Sequence, residues 1–431
     1  MSFRKHLLLL VMSALITWPL VITACRPAPS PTPLPPTPTT QVAPTPAPTA
    51  TATPSPVKLV VWTTLFEAAQ QAFDKVSRQY TIEHPHVTIE SHRVEELKDK
   101  LRIAVPAGEG PAIFTFAHDW IGEMADLNII VPLDNYITPE FRAAFPTSAW
   151  DAVTYKGHIY AIPESAETVI MIYNKDLISK PPTSTEELIG VMKQFYKPDE
   201  GKYGLAWPID PYHVSAFIHG FGGFYLNDET GEVGLDRPEH IQGLQWILDN
   251  IRPYMSSDKD YATQIALFTD RNAPILFTGP WALPDVEKAG INFGVAPLPE
   301  ITGIGPARPF MGVRSWMVTT NAQDVAAAVD FLTWFVSPPQ IVDWVVEAGF
   351  APAFTAAYED ARIAEDEVKL TILAQAQAAI PMPKRAEMGL IWAWGAPYWD
   401  VLDAVWTGEK TAEVALKEGQ QAVLDAIAKT R

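Results

Sequence analysis

The sequence predicts an α/β protein of two lobes, and three observations carry that prediction. From residue 57 onward, short β-branched and aromatic runs alternate with helical patterns, as in a parallel sheet covered by helices. The alternating material continues to residue 431, more chain than one hydrophobic core usually holds. A Pro/Thr-rich stretch sets this body apart from an apolar N-terminus.

"VKLVVWTT" (57–64) has the β-branched, aromatic character of a buried strand, and the stretch 67–80 is helical in pattern. "VTIESHR" (87–93) alternates as a second strand, and 95–105 reads as a helix stopped by "PAGEGP". "AIFTFA" (112–117) is a third strand, from which Asp119 leads into a helix over 120–127. Further strands are expected at "VIMIYN" (169–174), "APILFTG" (273–279) and "FGVAPLP" (293–299), with helices over 238–254, 322–336 and 411–429. Ligands of such sheets sit beyond the carboxyl ends of the strands. Phe116, His118 and Asp119 fall there, as do 62–64 and "TGPWALP" (278–284). Asp119 either caps the following helix or faces a ligand, and His118 reads as a hydrogen-bonded loop histidine.

The first 25 residues, "MSFRKHLLLLVMSALITWPLVITAC", carry a basic start (Arg4, Lys5, His6) and an apolar run from Leu7 to Ile22. Ile22-Thr23-Ala24-Cys25 resembles a bacterial lipobox, which implies that residues 1–24 are a cleaved signal peptide and that Cys25 carries the lipid. A retained membrane anchor is the other reading of the same run. Cys25 is the single cysteine, so the body has no disulfide and no thiolate metal site. Residues 25–56 are then the lipidated cysteine and a tether, "RPAPSPTPLPPTPTTQVAPTPAPTATATPSP" after Cys25. At ~3.1 Å per residue an extended tether of that composition reaches at most ~90 Å from the membrane.

A net charge of −18 disfavours nucleic acid as a partner. Fourteen tryptophans exceed ordinary core filling and suit amphipathic ligands, whose apolar faces flat rings cover. Catalytic motifs fail in turn: there is no Gly-x-Ser-x-Gly, no phosphate-loop and no His-Glu-x-x-His pattern. No metal, cofactor or catalytic set is expected, although a glycoside hydrolase needs only two acids and no local motif.

"YKGHIYAIPESAETVIMIYNKDL" (155–177) resembles the family 1 extracellular solute-binding proteins of ABC importers. "GEGPAIFTFAHDW", "WDAVTYKG", "IDPYHV", "TGPWAL" and "RPFMGVRSW" follow the order of the maltose/maltodextrin-binding branch, over essentially all of 57–431. The resemblance implies a two-lobe, periplasmic-binding-protein-like type II fold, each lobe a mostly parallel sheet flanked by helices, with sugar in a hinged cleft. Its hinge crossings fall near 164–168, 311–315 and 355–365, making lobe I 57–166 with 316–360 and lobe II 167–315 with 361–431.

Motif by motif, the resemblance implies an aromatic wall at Phe116, hydroxyl acceptors at Asp119, Glu167 and Asp210, and rings at Tyr212 and Trp281. The last stacking residue falls in "IWAWGAPYW" (391–399), where Trp394 is favoured over Trp392, Tyr398 and Trp399. The implied partners are an oligosaccharide and the permease and ATPase subunits of an importer. The implied state is a monomer held by its lipid to the outer face of the cell membrane. The chain departs from the pattern at "WTTLFEAA", where Thr63 and Thr64 stand in for an Asp-Lys loop, and at Lys98-Asp99, in place of an acidic pair. A cleft of acids and rings also suits a polyamine, through charge pairing and cation–π contact.

Overall fold

The computed structural model describes residues 55–430. The expected signal peptide, Cys25 and the expected tether up to residue 54 lie outside the described residues. The strands in chain order are β1 (Val57–Thr63), β2 (Val87–Arg93), β3 (Ile113–Ala117), β4 (Thr154–Tyr155), β5 (His158–Ile159), β6 (Ala161–Thr168) and β7 (Ile170–Asn174). They continue with β8 (Ile275–Thr278), β9 (Phe293–Ala296), β10 (Phe310–Val318), β11 (Ala351–Pro352) and β12 (Ile380–Pro381). A seven-stranded sheet runs β11-β6-β10-β3-β1-β2, with β12 beside β10. A three-stranded sheet runs β8-β7-β9, and β4 and β5 form a small hairpin.

The opening strand–helix alternation folds as expected, with helix Glu67–Glu83 between β1 and β2 and helix Leu97–Ala104 between β2 and β3. Pairing is parallel for β1–β2 and β1–β3. Beyond them the mostly parallel expectation gives way. β10 runs antiparallel to both β3 and β6, and β7 pairs antiparallel with β8 and β9. β6 leads into β7 of the other sheet through a single residue, and β10 returns from the second core to lie between β3 and β6. The larger sheet is therefore mixed and the smaller one antiparallel, rather than both being wound as parallel halves.

The larger sheet packs against one core, in which Phe73 stacks on Trp316 at 5.1 Å and meets Phe335 at 5.2 Å. A second body of core surrounds β7–β9, with Trp207, Phe217 and Phe277 at its centre. Trp150, Trp207, Trp316 and Trp344 are fully buried. Among the described residues no single helix is long and apolar enough to cross a membrane.

The two longest strands, β6 and β10, join these bodies, and sequence periodicity does not reveal them. The register slips between Arg314, opposite Ser165, and Ser315, opposite Pro163, so that Glu164 is the extra residue of a bulge. Pro163 has no N–H for the ladder, and a bulge is where a sheet tolerates that loss. Glu164 points into full burial, 3.6 Å from the Arg314 guanidinium and accepting a 3.2 Å hydrogen bond from Ser165 Oγ. Burial pushes its carboxyl up to about 7, and Arg314 holds it from rising further. Arg314 also lies over the Phe350 ring at 5.0 Å.

Removing one member of a buried pair strands the other, which typically costs about 3–5 kcal/mol. Arg314→Met is expected to lose stability of that order at pH 8. The loss should shrink at pH 5, where Glu164 takes up a proton and no longer leaves a bare charge. Denaturant midpoints at the two pH values measure the difference.

Candidate ligand-binding cleft

At the carboxyl end of β3 the chain turns directly into a single 3-10 turn, His118–Trp120, and then helix Ile121–Asp126. His118 is fully buried and spent on structure: Val313 N–H donates to Nδ1 at 3.0 Å, and Nε2–H donates to the Met382 carbonyl at 3.0 Å. Burial pushes this imidazole down to about 4, so it stays neutral, and it pegs β3 to β10 and to the segment after β12. Asp119 does not cap the helix. Its Oδ1 is buried without a hydrogen-bond partner. Phe116 lies face to face with Trp120 at 3.6 Å, and Lys98 sits over Trp120 at 5.4 Å. Lys98 also pairs with Glu123 at 2.7 Å.

Glu167, on β6, lies over Gly312 of β10. A Cβ at Gly312 would come within 2.9 Å of the Glu167 side chain, so glycine there makes the room the carboxylate occupies. Burial raises the Asp119 carboxyl to about 7, with Lys98 opposing and the nearby Glu167 charge adding to the rise. Burial likewise raises Glu167, against the pull of Arg314. The Tyr212 phenol feels both carboxylates and is raised well above its ordinary value, chiefly by burial. Asp119, Glu167 and Tyr212 therefore lie close enough for their charges to interact, although 93 residues of sequence separate the first from the last.

The opposite wall is aromatic. Tyr212 meets Trp281 at 5.9 Å, Phe310 at 6.2 Å and Trp392 at 6.2 Å, and its hydroxyl donates to the Phe310 carbonyl at 3.3 Å. Trp281 stands on the short turn Pro280–Ala282 after β8, with its ring folded back over Gly279, where a Cβ would fall 2.0 Å away. Trp281 also lines a cavity of about 420 Å³ with Phe66, Phe350 and Lys369. The expected Trp394 lies apart from this set: it is 85% exposed and packs on Trp399 at 4.7 Å. Trp392 is the late ring that reaches Tyr212. Asp210 is beside the cluster, but its carboxylate is turned inward onto the backbone N–H groups of Tyr212 and His213. Thr63 is fully buried and donates to Gln70, leaving Thr64 as the half-buried member of that pair.

Trp120, His213 and Arg314 were not singled out from sequence as site residues, and Trp392 stood there only as an alternative to Trp394. Among the described residues no group of three or more His, Cys, Asp or Glu side chains is arranged to hold a metal ion. A larger groove of about 620 Å³ lies between helix Pro238–Asn250 and helix Ala412–Thr430 and contains none of the expected residues.

The family model described as bacterial extracellular solute-binding protein matches residues 73–370. The chain is 40% identical to the maltotriose-binding protein of Pyrococcus abyssi over 339 residues, 78% of this chain and 75% of that one. This chain belongs to the extracellular solute-binding proteins. A maltooligosaccharide ABC transporter solute-binding lipoprotein of Streptococcus pneumoniae is 22% identical over 344 residues, 76% of this chain and 79% of its own. A cyclo/maltodextrin-binding protein solved with maltotetraose superposes with a TM-score of 0.79 at 28% identity, covering 88% of this chain and 99% of that one. The fold of this solute-binding protein is accordingly the two-lobe type II form. Its work is binding on the outer side of the membrane rather than catalysis.

The raised Asp119 carboxyl has a consequence for the ligand-free solute-binding protein. Unfolded, the group titrates near ~3.9; folded, near about 7, so between these values the folded chain holds the extra proton. Its ionised form therefore opposes folding fully above pH 7, and the penalty fades as pH falls toward 4. Asp119→Asn cannot ionise. It is expected to melt higher than the parent at pH 8 and to match it near pH 4, as thermal unfolding at the two pH values will read.

Proposed function

We propose that this solute-binding protein captures a maltodextrin-like oligosaccharide outside the membrane and hands it to the permease and ATPase subunits of an ABC importer. The observation that carries the reading is the cleft itself: carboxylates of Asp119 and Glu167 beside rings of Tyr212 and Trp281, in a chain 40% identical to a maltotriose-binding protein. A pyranose has apolar C–H faces and a rim of hydroxyls. Flat rings cover the faces, and carboxylates accept from the hydroxyls in charge-assisted bonds.

In this reading Phe116, backed by Trp120, and Trp281 supply the walls, and Asp119 and Glu167 accept from hydroxyls. The late stacking residue is Trp392, whose ring belongs to the Tyr212 cluster, in place of Trp394. The lobes divide where β6 and β10 cross, as 57–166 with 316–360 and 167–315 with 361–431. The protein acts as a monomer tethered through a diacylated Cys25; that a pneumococcal relative is a lipoprotein supports the lipid anchor.

Calorimetric titration with maltotriose tests the reading. Trp281→Ala and Trp392→Ala are expected to weaken binding about tenfold or more, and Trp394→Ala by less than about twofold. A neutral sugar should bind alike at low and high salt, whereas tight, salt-sensitive spermidine binding without a sugar response would make this a polyamine carrier. For the anchor, Cys25→Ala is expected to leave the membrane fraction. Its full-length retention there would make residues 1–24 a transmembrane segment instead.

A further inference from the structure

Asp210, His213 and Thr278 form a hydrogen-bonded chain under the aromatic wall. Asp210 Oδ1 accepts from the backbone N–H groups of Tyr212 and His213, each at 2.9 Å, and Oδ2 lies 2.8 Å from His213 Nδ1. On the other side of the ring, His213 Nε2 is 3.1 Å from Thr278 Oγ1, the last residue of β8. With Nδ1–H donated to the carboxylate, Nε2 accepts the threonine hydroxyl. The side chains of His213 and Asp210 are 6% and 19% exposed. Burial raises the Asp210 carboxyl, but its interaction with His213 and the backbone hydrogen bonds outweigh that and hold the group below its ordinary range.

Acid, imidazole and hydroxyl in this order make up the hydrolytic triad. Burial excludes that use here: Thr278 is fully enclosed and paired to Ile170 in the sheet, so no substrate carbon reaches its oxygen. What the chain does touch is the cleft wall. The His213 ring meets Trp281 edge to face at 6.1 Å and lies 5.8 Å from Tyr212, its neighbour in sequence. One end of the chain fixes the turn that presents Tyr212. The other fixes the end of β8, from which Gly279 and Trp281 follow. A carboxylate has about four lone-pair sites, and three donors already occupy Asp210, leaving little for a ligand.

We propose that His213 is a positioning residue for ligand capture, holding Tyr212 and Trp281 in register with each other through the Asp210–His213–Thr278 chain. The inference rests on the sugar-binding reading of the cleft and assigns Asp210 to support rather than to sugar contact.

A double-mutant cycle read by maltotriose calorimetry tests it. His213→Ala should weaken binding about tenfold in the parent protein and less than about twofold once Trp281→Ala is present, because the ring it orients is gone. Thr278→Val, which keeps shape and removes the hydroxyl, should weaken binding severalfold, and Thr278→Ser should restore it. This pair also serves if His213→Ala fails to fold. An equal cost of His213→Ala in both backgrounds, or lowered melting temperature with unchanged affinity in His213→Ala and Thr278→Val, overturns the proposal. A parent protein that binds no glucan, or a Trp281→Ala variant that binds as the parent does, overturns the cleft reading itself.

Discussion

The antiparallel pairing of β6 with β10 is the constraint on which the rest of the molecule depends. These strands belong to the larger sheet, yet their ends feed the smaller one: β6 passes into β7 through Val169, and β10 begins at Phe310, inside the second core. Alternation along a strand sends successive side chains to opposite faces. Within β6, Ala166 and Glu167 thus part company, the first lining an apolar hollow with Met311 and Val313, the second meeting Gly312 and the cleft. The bulge at Glu164 shifts that alternation by one residue and so decides which side chains of β6 share a face with Glu167. His118 reinforces the junction, because its two ring nitrogens bond to Val313 in β10 and to Met382 just after β12.

The lobes contribute different chemistry. The β3 end offers a carboxylate without a partner and a stacked pair of rings. The β8 side offers an aromatic cluster already packed upon itself, with Tyr212 at its centre. Leaving a buried acceptor unsatisfied is costly, and a ligand that donates to Asp119 removes that cost on binding. The rings need no such rearrangement. Their packing on Phe310 and Gly279 means that little side-chain entropy remains to be lost when a ligand covers them.

Legibility in the sequence followed locality. β1 to β3 and their helices could be read because each element declares its own period, and β2 has the expected limits 87–93. β6 and β10 could not, since Pro163, Glu164, Gly312 and Arg314 interrupt any alternation. Those residues make sense only once the two strands are laid side by side, when the proline, the bulge and the ion pair explain one another. The antiparallel direction of the smaller sheet was likewise hidden, because β7 pairs with β8 and β9 far along the chain. For the proposed cleft, motif resemblance assigns Phe116, Asp119, Glu167, Tyr212 and Trp281, of which Asp119, Glu167 and Tyr212 lie close enough to interact. The inward turn of Asp210 was not legible in this way, because it requires His213 three residues on and Thr278 on another strand. Trp392 and Trp394 are indistinguishable by spacing. Their surroundings separate them, one ring against Tyr212 and Phe310, the other in solvent.

The placement of the indoles also divides the protein optically. Trp150, Trp207, Trp316 and Trp344 are sealed from water, while Trp281 and Trp392 stand at the cleft wall and Trp394 projects into solvent. Indole emission shifts to the blue in apolar surroundings and to the red in water. The first group therefore contributes a blue background blind to events in the cleft, and Trp394 a red one equally blind. In the proposed reading, covering Trp281 and Trp392 would move only their share of an intermediate band to which Trp62, Trp246, Trp334 and Trp399 also contribute, so occupancy would be read in the shape of the spectrum rather than in its total intensity.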